Sequence, residues 1–304
     1  YGTAAIVYEE KSFSELLDRF YLEKDQLERM RAREQDLLRL LSNASERLSR
    51  KINAQKAELM QCAQRDELRI AGDLISANLY TIPKGADKAD LPNFYEEGTP
   101  LLQIKLDPAL TASQNAQKYY KEYRKAKTAE EKLTEQIEIA QDEIIYLDSV
   151  FEALSRAATS QDLGEIRAEL MEQGYIRKLR SKKEKPAAVS APLTFQTSDG
   201  FTVLVGRNNR QNDRLTLKTA NNNDIWFHTK NIPGSHTVLV TDGKKPTETA
   251  MTEAAVLAAQ HSKAKDSSLV PVYYTEIRNG SKPQGSKPGM VIYKAYKTLF
   301  VNPA

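Results

Sequence analysis

Two long stretches of this chain contain no residue that breaks a helix. Between Gly2 and Gly72 there is neither glycine nor proline, and between Pro108 and Gly164 there is again neither. Both stretches are dominated by Glu, Lys, Arg, Leu, Ala and Gln, the residues that lose least on entering a helix. So much uninterrupted helix cannot bury itself within one short element, which points to two long arms lying against each other.

The second stretch carries a seam of alternating four- and three-residue steps: Tyr119, Tyr123, Ala126, Glu130, Leu133, Ile137, Ala140, Ile144, Leu147, Phe151, Leu154 and Ala158. All but Glu130 are apolar, the pattern of a coiled coil. In the first stretch Leu17, Phe20, Leu27, Leu38, Leu41, Leu48, Ile52, Leu59 and Cys62 share a seam, interrupted by Lys24, Arg31, Glu34, Ser45 and Gln55. An antiparallel pair (about residues 11–80 and 111–182) follows, each arm about 90 Å long at 1.5 Å per residue. Pairing between two chains is the alternative. The connector, Tyr80 to Leu110, holds Pro83, Pro92, Pro100 and Pro108 and an alternating run from Leu101 to Leu106. It reads as a small knob with a β-element at the tip of the arms, either a reader of something distant or an inert cap.

Charge divides the chain at the same place as pattern. Residues 1–185 hold 30 Lys and Arg against 33 Asp and Glu, and residues 186–304 hold 14 against 8. The acidic arm and basic remainder suggest two modules with different partners, the basic one inclined to an anionic ligand; a modest surface imbalance is the plainer alternative. A single cysteine, Cys62, excludes an internal disulfide or a cysteine-based zinc cluster. No window approaches the length of a membrane span. The sequence begins at Tyr1 rather than methionine and reads as a fragment.

After the basic run "RKLRSKKEK" and the linker "PAAVSAP" (186–192) the pattern changes to short alternating strands. Asp199-Gly200 between two such runs signals a hairpin. "DRLTLKTA", "DIWFHTK" and "HTVLVT" read as further strands, residues 246–265 as an alanine-rich helix opened by Pro246, and "VPVYYTEIR" and "VIYKAYKTLFV" as closing strands, the last a hairpin around Lys294 and Ala295. The fold class expected is α+β: a long antiparallel coiled-coil hairpin with a tip subdomain at about 80–112 (residues 1–185), then a compact mixed domain (186–304).

"NNNDIWFHTKNIPGSH" gathers the single tryptophan and two of the three histidines. On a strand, Asp224, Trp226, His228 and Lys230 share one face and Ile225, Phe227 and Thr229 the other. Asp224, His228 and His236 could supply three metal ligands, but their spacing matches no familiar metal motif. Ser235 beside His236 is not in itself a catalytic arrangement. Cations, flat rings and amide donors together suit RNA, and "GRNNRQND" places Arg207 and Arg210 near in sequence. Trp226 as core, its indole N–H meeting Asp224, is the competing reading. "NGSKPQGSKPGM" sets Lys282 and Lys287 among Gly280, Gly285 and Gly289, a combination that suits phosphate and equally suits a flexible surface loop.

Three segments carry a further signal. "VGRNNRQNDRLTLKTA", "DIWFHTKNIPGSHTVL" and the run from Ala254 to Pro303 resemble the C-terminal domain of the NFACT family, and "GDLISANLYTIPKG" with "LDPALTASQNAQKYYKEYRKAK" resembles the middle and coiled-coil regions of its bacterial members. The resemblance implies binding to the large ribosomal subunit blocked by a nascent chain, recruitment of alanyl-tRNA, and addition of alanines to that chain. It implies a cytoplasmic place, with no cofactor, no metal and no catalysis by the protein itself. It also implies that the family's N-terminal domain and helix–hairpin–helix segment lie outside this sequence. Several streptococcal relatives are called fibronectin-binding proteins, so a cell-surface adhesin is the alternative. The residues expected to face RNA are Arg207, Arg210, Asp224, Trp226, His228, Lys230, Ser235, His236, Lys282 and Lys287.

Overall fold

The computed structural model describes residues 12–177 and 190–303. Most of "RKLRSKKEK", part of the linker, and the expected boundary at 185/186 lie outside the described residues. The class is α+β. Two compact units separate: residues 47–143 form one, and the described residues on either side of that span form the other.

In chain order the first half comprises α1 (Phe13–Cys62), α2 (Arg65–Ala77), β1 (Lys88–Pro92), β2 (Leu101–Lys105), α3 (Ala112–Ser155) and α4 (Ser160–Glu172). Within residues 47–143, α1 and α3 run antiparallel. Gln55 Nε2 donates to Gln136 Oε1 at 2.6 Å, and Arg65 pairs with Glu130. Leu48, Ile52, Leu133, Ile137 and Ala140 of the two seams are buried here. The knob is a β1–β2 hairpin, in register from Lys88 opposite Lys105 to Pro92 opposite Leu101. Its core joins Ala71, Leu74 and Ile75 of α2 to Leu91, Ile104, Leu106 and Ala116. Gly72 allows close packing there, because a Cβ would stand 3.0 Å from the Tyr120 ring.

Each arm is broken once where the pattern predicts continuous helix. α1 stops at Cys62, and α2 begins at Arg65, which turns its apolar face onto the hairpin. The second break, at Arg156–Thr159, has a clear local cause. Thr159 caps α4 by accepting from the Asp162 amide, and the Asp162 carboxylate accepts from the Thr159 amide. This reciprocal pair satisfies two amides that a new helix would otherwise leave bare, and it starts α4 where α3 could have continued. The first seam also differs toward its start: Leu17, Phe20, Leu27 and Leu38 are exposed, and Leu37 is buried instead.

The rest of the second unit is built on a six-stranded antiparallel sheet of order β10-β7-β5-β6-β4-β3. The strands are β3 (Leu193–Gln196), β4 (Thr202–Val205), β5 (Ile225–Thr229), β6 (Thr237–Val240), β7 (Val270–Glu276) and β10 (Lys297–Val301), with a short separate ladder of β8 (Gly280–Ser281) and β9 (Ile292–Tyr293). Gly200 takes φ +83° in the β3–β4 turn, a conformation that favours glycine. The helix α6 (Glu248–Gln260) is capped by Thr247 and covers one face of the sheet. Ala250, Ala254, Ala255, Ala258 and Ala259 form its buried stripe against Phe227, Leu239, Val203 and Val272. Side chains this small let the helix lie close to the sheet.

Two expected strands are not as the sequence suggested. "DRLTLKTA" is helical: α5 (Asn209–Arg214) runs into a π-helical turn, Leu215–Thr219. Asn208 sets this by accepting from the Gln211 amide at 2.9 Å, a cap that alternation alone conceals. The closing hairpin does not form either, because β9 pairs with β8 while β10 pairs with β7.

Candidate nucleic-acid interface

Strand β5 does alternate. Phe227 points to the alanine helix, and Trp226 lies in a second small core with Leu215, Val238 and Ile277, closed by Val291 and Tyr293. Trp226 is only 3% exposed. Its ring lies 3.8 Å from Tyr293 between centroids, meets His236 edge-on at 5.3 Å and stacks on His228 at 5.6 Å. Its Nε1 has no partner among the described residues, so the expected bond to Asp224 is not made.

The neighbours of Trp226 in the motif are interior residues too. Asp224 accepts from the Thr241 amide (2.9 Å) and the Asn221 amide (2.8 Å), tying the turn before β5 to the end of β6. Ser235 donates to the Gly206 carbonyl at 2.5 Å and accepts from Arg156 Nη1 at 2.8 Å. His236 Nε2 donates to the Gly289 carbonyl at 3.1 Å, which leaves Nδ1 to accept from the Thr216 hydroxyl at 2.7 Å. Burial first, and the nearby His228 second, push the His236 imidazole down to about 3, so the ring is neutral. Burial also lowers His228. Asp224, Trp226, Ser235 and His236 are therefore removed from the expected RNA-facing set: each is buried, and the three polar side chains use their hydrogen-bonding groups within the domain. His228 is half-buried, and Lys230 is exposed with its ammonium 5.5 Å from the Tyr273 ring centroid.

The glycine–lysine loop is fastened rather than free. Lys282 pairs with Asp213, and the Gly289 amide donates to the same carboxylate at 3.0 Å. Lys287 stands 5.3 Å from the centroids of both Tyr146 and Tyr175. Arg207 reaches the Ala191 carbonyl (3.1 Å) and Asp162 (3.5 Å), and Arg210 lies 3.4 Å from Glu172. These four cations lie within the second unit's own network, and of the four only Arg210 is exposed.

What the fold does assemble is a groove of about 570 Å³ lined by Glu165, Asn208, Arg210, Gln211, Asp213, Arg214, Leu217, Lys218 and Lys282. Arg214 and Lys218 stand one helical turn apart, both exposed, and among the described residues neither is in an ion pair. The two carboxylates in the groove are occupied from behind. Glu165 accepts from the Ser190 amide (2.6 Å) and Asn208 Nδ2 (2.7 Å), and Asp213 holds Lys282 and Gly289. The groove therefore presents Arg214 and Lys218 outward, while the Asn208 and Gln211 amides in its wall are turned to Glu165 and Ser190; two exposed cations one turn apart fit a phosphodiester backbone. Sequence reading misses Arg214 and Lys218 because the residues that complete the groove, Glu165 and Lys282 among them, are distant in the chain. The local signal for the helix that carries Arg214 is Asn208 three residues before Gln211.

Two family models match this chain: NFACT N-terminal and middle domains over residues 6–188, and the NFACT protein RNA binding domain over residues 192–295. The chain belongs to the NFACT family. Among curated NFACT relatives, the Rqc2 homolog RqcH of Bacillus subtilis (strain 168) is 44% identical over 96% of this chain and 51% of that protein, and the Rqc2 homolog RqcH of Streptococcus suis (strain 05ZYH33) is 40% identical over 96% and 52%. The chain thus spans about half the length of the curated relatives it matches. Among solved structures, the C-terminal part of the fibronectin/fibrinogen-binding protein from Streptococcus suis is similar with a TM-score of 0.72 and 35% identity, covering 91% of this chain and 96% of that one. The groove lies within the span matched by the RNA-binding model, apart from Glu165.

Proposed function

We propose that this chain is the RNA-handling part of a ribosome quality-control factor, gripping phosphodiester backbone in the groove through Arg214 and Lys218. The observation that carries the reading is this outward-facing basic groove within the segment that the NFACT RNA-binding model matches. The likeness to RqcH proteins supports the large ribosomal subunit and tRNA as the RNA partners, and a cytoplasmic setting with them. Within the whole protein the finer role is to hold tRNA while alanines are added to a stalled chain. Peptide-bond formation then belongs to the ribosome, and this chain acts by position alone, without cofactor or metal.

The test is a titration of the 304-residue chain with tRNA and with large-subunit RNA at several salt concentrations. R214A/K218A is expected to weaken both and to flatten the salt dependence, because each phosphate that is no longer neutralised takes about 0.7 to 0.9 off the log–log slope. An unchanged slope would remove the groove from the RNA site. Capture of fibronectin without capture of either RNA would favour the adhesin reading that the name of the Streptococcus suis protein suggests.

A further inference from the structure

The cover on the sheet face opposite α6 stops short of the β10 edge. The small core of Trp226, Val238 and Leu215, roofed by Val291 and Tyr293, ends at Tyr273. Beyond it the register sets Tyr273 beside Thr298 and Pro271 beside Phe300, on the side away from the helix that packs on Tyr274 and Leu299. Three aromatic rings mark this open edge. Tyr296 is 53% exposed and its ring centroid lies 4.3 Å from that of half-buried Tyr273; Phe300 is 67% exposed. Lys230 supplies a cation 5.5 Å from the Tyr273 centroid.

Tyr296 is positioned rather than loose. Asn279 Nδ2 donates to Thr275 Oγ1 at 3.0 Å, and Thr275 Oγ1 donates to the Ala295 carbonyl at 2.5 Å. That chain of bonds holds the backbone next to Tyr296, and the ring itself lies against Tyr273. Phe300 lies four residues further along, about 13 Å at strand rise, which leaves space for bases between the two rings. Exposed rings on a fixed backbone beside an ammonium suit unpaired bases, because every base offers a π-face to stack and its phosphate a charge to meet. A duplex keeps its bases stacked on each other and has no face to offer here.

Resting on the RNA-binding reading above, we infer that Tyr273, Tyr296 and Phe300, with Lys230, form a stacking platform for unpaired nucleotides. The groove grips backbone in either form of RNA, and the platform selects the single-stranded form.

The experiment is fluorescence anisotropy of the 304-residue chain with a labelled oligo(A) and with a labelled RNA duplex of the same length. Y296A/F300A is expected to weaken oligo(A) binding by about tenfold or more and to leave duplex binding within about twofold. Y296W is expected to retain oligo(A) affinity, which would not happen if the tyrosine hydroxyl were what the RNA meets. The melting temperature of each variant, expected to stay near that of the parent, shows that folding is not the cause. If Y296A/F300A leaves oligo(A) binding unchanged while R214A/K218A weakens both RNAs, the platform is overturned and the groove stands. Equal weakening of both RNAs in Y296A/F300A also overturns it. If the parent chain binds neither RNA, the RNA-binding reading itself fails, and the platform with it.

Discussion

The position that a side chain on Gly289 would occupy lies 2.7 Å from Asn209 Oδ1, and the Gly289 backbone has φ +79°. The residue makes three contacts at once: its amide donates to Asp213 of α5, its bare Cα rests on Asn209 of the same helix, and its carbonyl accepts from His236. The glycine serves close packing and not phosphate approach. Gly289→Ala is expected to lower stability by about 1–3 kcal/mol through strain at a positive φ, before any cost of moving Asn209. A urea midpoint shifted to lower concentration at constant m-value is the check.

The bond from His236 to Gly289 lies in a site that sets a pH dependence. His236 is held down to about 3 by burial, against an ordinary value near 6.5. A histidine with a depressed folded value contributes stability that is present above its unfolded pKa and is lost as pH falls below it. From pH 7 to pH 5 this group should remove about 2 kcal/mol. His228 and His261 are lowered too and act in the same direction. Glu169, raised by burial despite its bonds to Tyr146 and Asn209, acts oppositely around the carboxylate range. Unfolding free energy measured across pH 5 to 7 should fall with acid, and less steeply in His236→Gln. Equal slopes in the two proteins would refute the assignment.

Trp226 is core, which separates two outcomes that sequence left together. Trp226→Ala is expected to cost about 3–5 kcal/mol of stability. Trp226→Phe should cost much less, because Nε1 has no partner to lose among the described residues. RNA affinity of the folded fraction should be unchanged in both. A Trp226→Phe protein with parental melting behaviour and weakened RNA binding would contradict this placement.

Lys282 should behave as a fastening of the loop. Lys282→Ala removes the partner of a half-buried Asp213, so stability should fall by about 1–3 kcal/mol through the unpaired carboxylate. Adding Asp213→Asn should recover part of that loss, which a thermodynamic cycle over the single and double variants would show. Lys287→Ala should have a smaller effect of about 1 kcal/mol, because the rings of Tyr146 and Tyr175 no longer meet a cation.

The long helices, the β1–β2 knob, the Asp199-Gly200 hairpin and the alanine helix were legible because each rests on local rules: absence of breakers, a period of 3.5 or two, a residue that accepts positive φ, a proline opening an alanine-rich run. Alternation along β5 also correctly separated Trp226 from Phe227. It could not show that the Trp226 face is itself covered, because the cover is Tyr293 and Val291, more than sixty residues later in the chain. A like distance hides the fastening of Lys282 to Asp213, and shorter but still non-local spans hide the pairing of β9 with β8 and the meeting of Tyr273 with Tyr296. Arg214 and Lys218 would share a face on a strand or on a helix; tertiary structure decided that this face is exposed and lines the groove. Composition determined that the C-terminal half would be basic, whereas tertiary structure decided which cations face solvent, because a charge faces water or a carboxylate according to what the rest of the chain brings against it.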